Sequence, residues 1–82
     1  MTKEQLQEAL EKLPDVERVS VIEDRRRLIA TVVSGAFRDQ NEAVRQASVY
    51  SHLYRRFGSD DELAIIEFIF TNTPEEEAEN AA

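Results

Sequence analysis

Three runs rich in β-branched and aromatic residues punctuate the chain at unequal intervals, and that spacing limits the folds open to it. The first, Val16 to Glu23 (VERVSVIE), alternates Val19 and Val21 with Arg18 and Ser20. Only the polar link Glu23-Asp24-Arg25-Arg26 separates it from the second run, Leu28 to Ser34 (LIATVVS). Two strands joined so closely read as a β-hairpin. No Asn-Gly or Asp-Gly occupies the link, so the turn type stays open. The third run, residues 63–71 (LAIIEFIFT), comes only after a long helical segment. A strand reached through a helix lies parallel to its predecessor, by the right-handed crossover rule.

The helices are marked by their caps. Thr2 and Gln5 have the spacing of a capping box, and Leu6, Ala9, Leu10 and Leu13 then form one apolar stripe that Pro14 brings to an end. Ser34-Gly35-Ala36 reads as a loop. Asp39 and Glu42 suggest a second capping box, opening a helix from Gln40 to Phe57 that Gly58 stops. Its apolar positions are Val44, Ala47, Tyr50, Ser51 and Tyr54, widened by Ala43, Leu53 and Phe57. Ser59-Asp60-Asp61 is a loop. Along the third strand, alternation puts Ala64, Ile66, Phe68 and Phe70 on one face and Ile65, Glu67 and Ile69 on the other. Thr73-Pro74-Glu75-Glu76 has the form of a last, short helix start.

The expected fold is therefore α+β, in the order α-β-β-α-β plus a short C-terminal helix. A three-stranded mixed sheet carries the long helices on one face. The other face would leave Ile65 and Ile69 uncovered, which points to a partner or to self-association. With 82 residues the chain reads as a single domain, residues 1–76, with an acidic flexible tail at 77–82. A domain of this size buries only about 60% of the surface its unfolded chain exposes.

Composition narrows the functions. There are no cysteines, which removes disulfides, thiolate metal sites and a cysteine nucleophile. The first ten residues are charged and no apolar run approaches a membrane span, so a cytoplasmic setting is expected. Ten basic residues against seventeen acidic give a net charge of −7, a field that opposes nucleic-acid phosphates. Arg25, Arg26, Arg27, Arg55 and Arg56 nevertheless leave room for local phosphate contacts. Catalysis finds little support, because the carboxylates fall in caps, loops and tail, and no phosphate loop or metal cluster is present.

The stretch VVSGAFRDQNEAVRQASVYSHL (residues 32–53) resembles the signature of the BolA family, whose fold is shared with type II KH domains. Val33-Ser34 followed by Phe37 matches the family's V-S-x-x-F. Arg45 falls at the Arg of its Arg-His pair, and Val49, Tyr50 and Leu53 fall at its apolar helix positions. Thr71-Asn72-Thr73-Pro74-Glu75-Glu76 is similar to its T-x-T-P-x-E ending. Three departures stand out. Asp39 replaces a glycine, the FGSDDE loop is longer, and Gln46 replaces the histidine after Arg45. That histidine is implicated in the family as a ligand to a two-iron, two-sulfur cluster shared with a monothiol glutaredoxin. A neutral carboxamide is a weak iron ligand, so no cofactor is expected here. His52, the only histidine, lies six residues further on, roughly 9 Å along the helix, and reads as a solvated residue.

The resemblance implies a non-catalytic interaction module, an adaptor for a monothiol glutaredoxin or another cytoplasmic protein, with cluster ligation lost or altered. Its partner-binding residues would be Arg38, Arg45, Gln46, Thr71 and Thr73. The alternative is a KH-like nucleic-acid-binding or transcription-regulating protein. Against it, Gly35 and Gly58 stand too far apart to form a KH Gly-x-x-Gly loop.

Overall fold

The structure, a computed structural model, describes residues 1–81. Its elements are α1 (Lys3–Glu11), β1 (Val16–Asp24), β2 (Arg27–Ser34), a 3-10 turn (Gly35–Phe37), α2 (Glu42–Phe57), α3 (Asp60–Leu63), β3 (Ile66–Asn72) and α4 (Pro74–Ala81). The sheet order is β1-β2-β3, with β1 antiparallel and β3 parallel to β2. The expected architecture is the observed one. Thr2 and Gln5 do form a reciprocal capping box. Arg25 and Arg26 both take positive φ, 53° and 66°, which is the geometry of a type I′ hairpin turn.

One face of the sheet builds the core. Leu6 and Leu10 of α1 and Leu13 just after it, with Val49 and Leu53 of α2, pack on Val19, Val21, Leu28, Ala30, Val32 and Ile69. His52 takes part in that assembly rather than standing in solvent. It is half-buried, and its Nε2 lies 2.7 Å from the carbonyl oxygen of Ala9, pinning α2 to the end of α1.

Helix α2 differs from expectation in start and in phase. Asn41, not Asp39, is the cap, accepting from the Val44 N–H at 3.0 Å. Asp39 instead sits at φ 63°, a left-handed position that Asp tolerates better than most residues. The buried face carries Arg45, Val49 and Leu53, so Val44, Ala47, Ser51 and Tyr54 point outward. The phase differs because the core face of α2 includes a buried arginine, a residue type whose sequence signature is that of a solvent position.

The third strand also departs. Residues 60–63, expected as loop and strand start, form the single turn of α3, capped by the Ser59 side chain. A β-bulge then interrupts the β2–β3 register, since Leu28 pairs with Ile66 and Ile29 with Phe68. The extra residue shifts the alternation by one. Ile66 and Ile69 consequently face the helices, while Phe68 and Phe70 lie on the open side. The uncovered face predicted for Ile65 and Ile69 is thus a phenylalanine face. Finally, the tail boundary at 76 falls inside α4: Glu77 is helical and bonds to Arg18. Ala82 lies outside the described residues.

Candidate functional site

The signature residues converge where β3 ends, α2 begins and α4 starts. Thr73 and Glu76 cap α4 reciprocally. The Glu76 N–H donates to Thr73 Oγ1 at 3.1 Å, and the Thr73 N–H donates to Glu76 Oε1 at 2.8 Å. Across from them Arg45 is only 8% exposed. Its guanidinium forks onto Glu76 at 2.7 and 3.2 Å and donates to the carbonyl oxygens of Thr71 at 3.1 Å and Gln40 at 2.9 Å. It also stands 5.8 Å from the centre of the Phe37 ring. Arg45 therefore joins the loop before α2, the 3-10 turn, the end of β3 and α4.

Electrostatics follow from that geometry. The Arg45 guanidinium, helped by the Thr73 N–H, holds the Glu76 carboxyl down at about 2. The same ion pair raises Arg45 further above its ordinary value, against the opposing effect of burial. Arg38 pairs with Glu75 through two hydrogen bonds, 2.6 and 2.7 Å, and pushes that carboxyl below its usual range. Arg18 holds Glu77. Three consecutive glutamates of α4 are thus matched to three arginines from β1, the segment after the 3-10 turn, and α2.

Gln46 lies on the same side of α2. Its Nε2 donates to the Ile69 carbonyl oxygen at 2.7 Å and to Glu42 Oε1 at 2.8 Å. Glu42 also accepts from Thr71 Oγ1 at 3.0 and 3.1 Å. The carboxamide is therefore spent on tying α2 to β3. An iron–sulfur cluster does not fit these donors. Gln46 offers only a neutral amide oxygen, His52 is engaged by Ala9, and the chain has no cysteine. Among the described residues, no group of three acidic or histidine side chains is placed to hold a metal ion.

Of the sequence-predicted residues, Arg45, Gln46, Thr71 and Thr73 are brought into this one network. Thr71 and Thr73 are buried, Arg45 nearly so, and only Arg38 is well exposed. These groups shape the surface more than they form it. What faces solvent beside them is the stripe of α2 read as core in sequence, with Val44 at 47% and Tyr54 at 49% exposure. The remaining candidates, Arg25 to Arg27 and Arg55-Arg56, gather at the opposite end. Helix α2 runs from Thr71 back toward the start of β3, where Ile65 accepts from the Leu28 N–H beside the hairpin turn. Among the described residues none of these five forms an ion pair within 4.0 Å.

The fold and site together define a small α+β domain with a type II KH-like order, no pocket among the described residues, and no helix long and apolar enough to cross a membrane. Its fold is that of BolA domains. The chain is similar to the BolA domain of SufE1 from Arabidopsis thaliana, at 23% identity and a TM-score of 0.69, over 90% of this chain and 93% of that one. It is likewise similar to BolA1 from Arabidopsis thaliana, at 19% identity and a TM-score of 0.66, with the same coverage. No protein-family model and no curated protein sequence matches the chain.

Proposed function

We propose that the chain is a non-catalytic, BolA-like interaction module of the cytoplasm that binds a protein partner through the outward stripe of α2. The observation that carries this reading is the inversion of α2. Val44, Ala47, Ser51 and Tyr54 recur at helical spacing and face solvent, while an arginine occupies the buried side. An apolar helix stripe with a tyrosine at its end suits a groove on a partner, and tyrosines are over-represented among energetic anchors. The Arg45 network holds that stripe rigid, which lowers the ordering cost of binding.

The partner class favoured by the BolA-like fold and the signature residues is a monothiol glutaredoxin, with iron–sulfur ligation altered because Gln46 stands at the histidine position. Mixing the chain with a cluster-loaded monothiol glutaredoxin tests both halves. A complex should form in sedimentation without a histidine-type change in visible absorption. Val44→Glu with Tyr54→Glu should weaken it by about tenfold or more while leaving thermal unfolding unchanged. A histidine-type spectrum would reject the ligand argument, and no complex would reject glutaredoxin as the partner. The nucleic-acid alternative retains five arginines that form no ion pair among the described residues, but must overcome a net charge of −7.

A further inference from the structure

The open side of the sheet carries two rows, each ending in an exposed phenylalanine, that no element among the described residues covers. The register sets Ile22 beside Ile29 and Ile29 beside Phe68, then Ser20 beside Thr31 and Thr31 beside Phe70. Ile22, Phe68 and Phe70 are 54%, 44% and 50% exposed. The two rings are already ordered against each other, edge to face at 4.7 Å. The next row, Arg18, Val33 and Asn72, is different. There Val33 is buried, and α4 reaches across to β2 and β3 and bonds Arg18 through Glu77. The face is therefore a short strip, closed by α4 at one end and bounded by the hairpin turn at the other.

Its two ends differ in charge. At the turn, Arg25, Arg26 and Arg27 stand with Glu23, Asp24 and, at the adjoining start of β3, Glu67, and none of the three arginines has an ion-pair partner within 4.0 Å among the described residues. At the α4 end, Asp15, Glu17, Glu42 and the glutamates of α4 outnumber Arg18, Arg38 and Arg45. The strip thus has exposed apolar side chains in the middle, arginines outside any ion pair among the described residues at one end, and an acidic excess at the other. The surface that complements such a strip is the strip itself, turned end for end.

We propose that the open sheet face is a self-association surface occupied by the same face of a second copy of this chain. The two-fold axis lies between the sheets and across the strands, so strand directions are reversed. That operation sets Phe68 of one copy over Phe70 of the other and brings each arginine turn against the flank of the other copy's α4. An axis along the strands would instead place turn on turn and repel. The exposed apolar area amounts to roughly 300 Å² per copy. A stable interface takes about 800 Å² per partner, so apolar contact alone does not suffice and the charged ends are needed. The dimer is weak and salt-sensitive.

Sedimentation velocity on the full chain, from about 10 μM to about 1 mM, tests this. Reversible dimerisation with a dissociation constant on the order of 100 μM is expected, weakening by about tenfold as salt rises from about 50 mM to about 500 mM. Phe68→Ser with Phe70→Ser should abolish it, and Arg25→Glu with Arg26→Glu should weaken it by at least about tenfold, both at solvent positions that leave the fold intact. A chain that stays monomeric at the highest concentration overturns the proposal. So does a dimer indifferent to the phenylalanine changes, or one that salt tightens. Retention of a single-stranded oligonucleotide by the monomer, lost on Phe68→Ser with Phe70→Ser, would assign the face to nucleic acid and overturn it equally.

Discussion

Arg25 and Arg26 occupy the two left-handed positions of the hairpin turn, where Asn-Gly would be the least strained choice. Replacing them by Arg25→Asn and Arg26→Gly should raise the unfolding free energy by about 1 kcal/mol, read from the urea midpoint at unchanged slope. An unchanged or lower midpoint would mean that the arginines stabilise the turn in a way its backbone does not show. Glu76 gives a second test at this scale. Its folded-state value, about 2, lies below the ordinary 4.5, so the contribution is fully present above the unfolded value and fades as pH falls from 4.5 toward 2. With the carboxyl 43% exposed, solvent screening reduces this to about 1 kcal/mol. Glu76→Gln should flatten the stability profile across that window and leave the profile above pH 6 parallel to the parent, as followed by acid-dependent denaturation. Neither effect could have been assigned from the sequence alone. The polar link marked a turn without its type, and Glu76 was legible as a helix-start residue but not as the partner of an arginine 31 positions earlier.

Elements were easier to find than to orient. Hydrophobic runs, the Thr2 and Thr73 caps, Pro14 and Gly58 sufficed for α1, the hairpin, the crossover and α4, because those signals are local. Phase failed twice, for reasons that are not local. In α2 the buried side includes an arginine whose partners come from β3 and α4, and in β3 a bulge shifts the alternation after Ile66. The same non-locality makes α4 dependent on Arg45. Arg45→Met keeps much of the packing but leaves Glu76 and the Thr71 and Gln40 carbonyls without their donor. It should cost about 2–3 kcal/mol, below the range for a fully buried pair because Glu76 can turn to water. Amide exchange should accelerate chiefly over residues 74–80 while the β1–β2 ladder stays protected. Uniform acceleration, or none in α4, would refute the picture of Arg45 as the anchor of that helix.

At the scale of the whole molecule, the sheet separates two surfaces. The α2 stripe lies beyond the helices on one side, and the strip of Ile22, Phe68 and Phe70 lies on the other. Sites on opposite sides of a packed core, without shared contacts, contribute independently. A partner seated on α2 should therefore leave the open face available, and self-association should not compete with partner binding. Titrating a partner that binds through Val44 and Tyr54 should carry the chain from a monomer–dimer mixture to a 2:2 assembly at high concentration. The Phe68→Ser with Phe70→Ser variant should stop at 1:1 with the same partner affinity, while Val44→Glu with Tyr54→Glu should retain the dimer and lose the partner. Small-angle scattering with sedimentation separates these species by mass. If partner binding dissolved the dimer, the two surfaces would be coupled, either through the Arg45 network that links α2 to α4 or by overlap of the partner with α4. The discriminating measurement is then a form of the partner trimmed where it would meet α4, which would relieve the competition in the second case only and leave it in place where the Arg45 network carries the coupling.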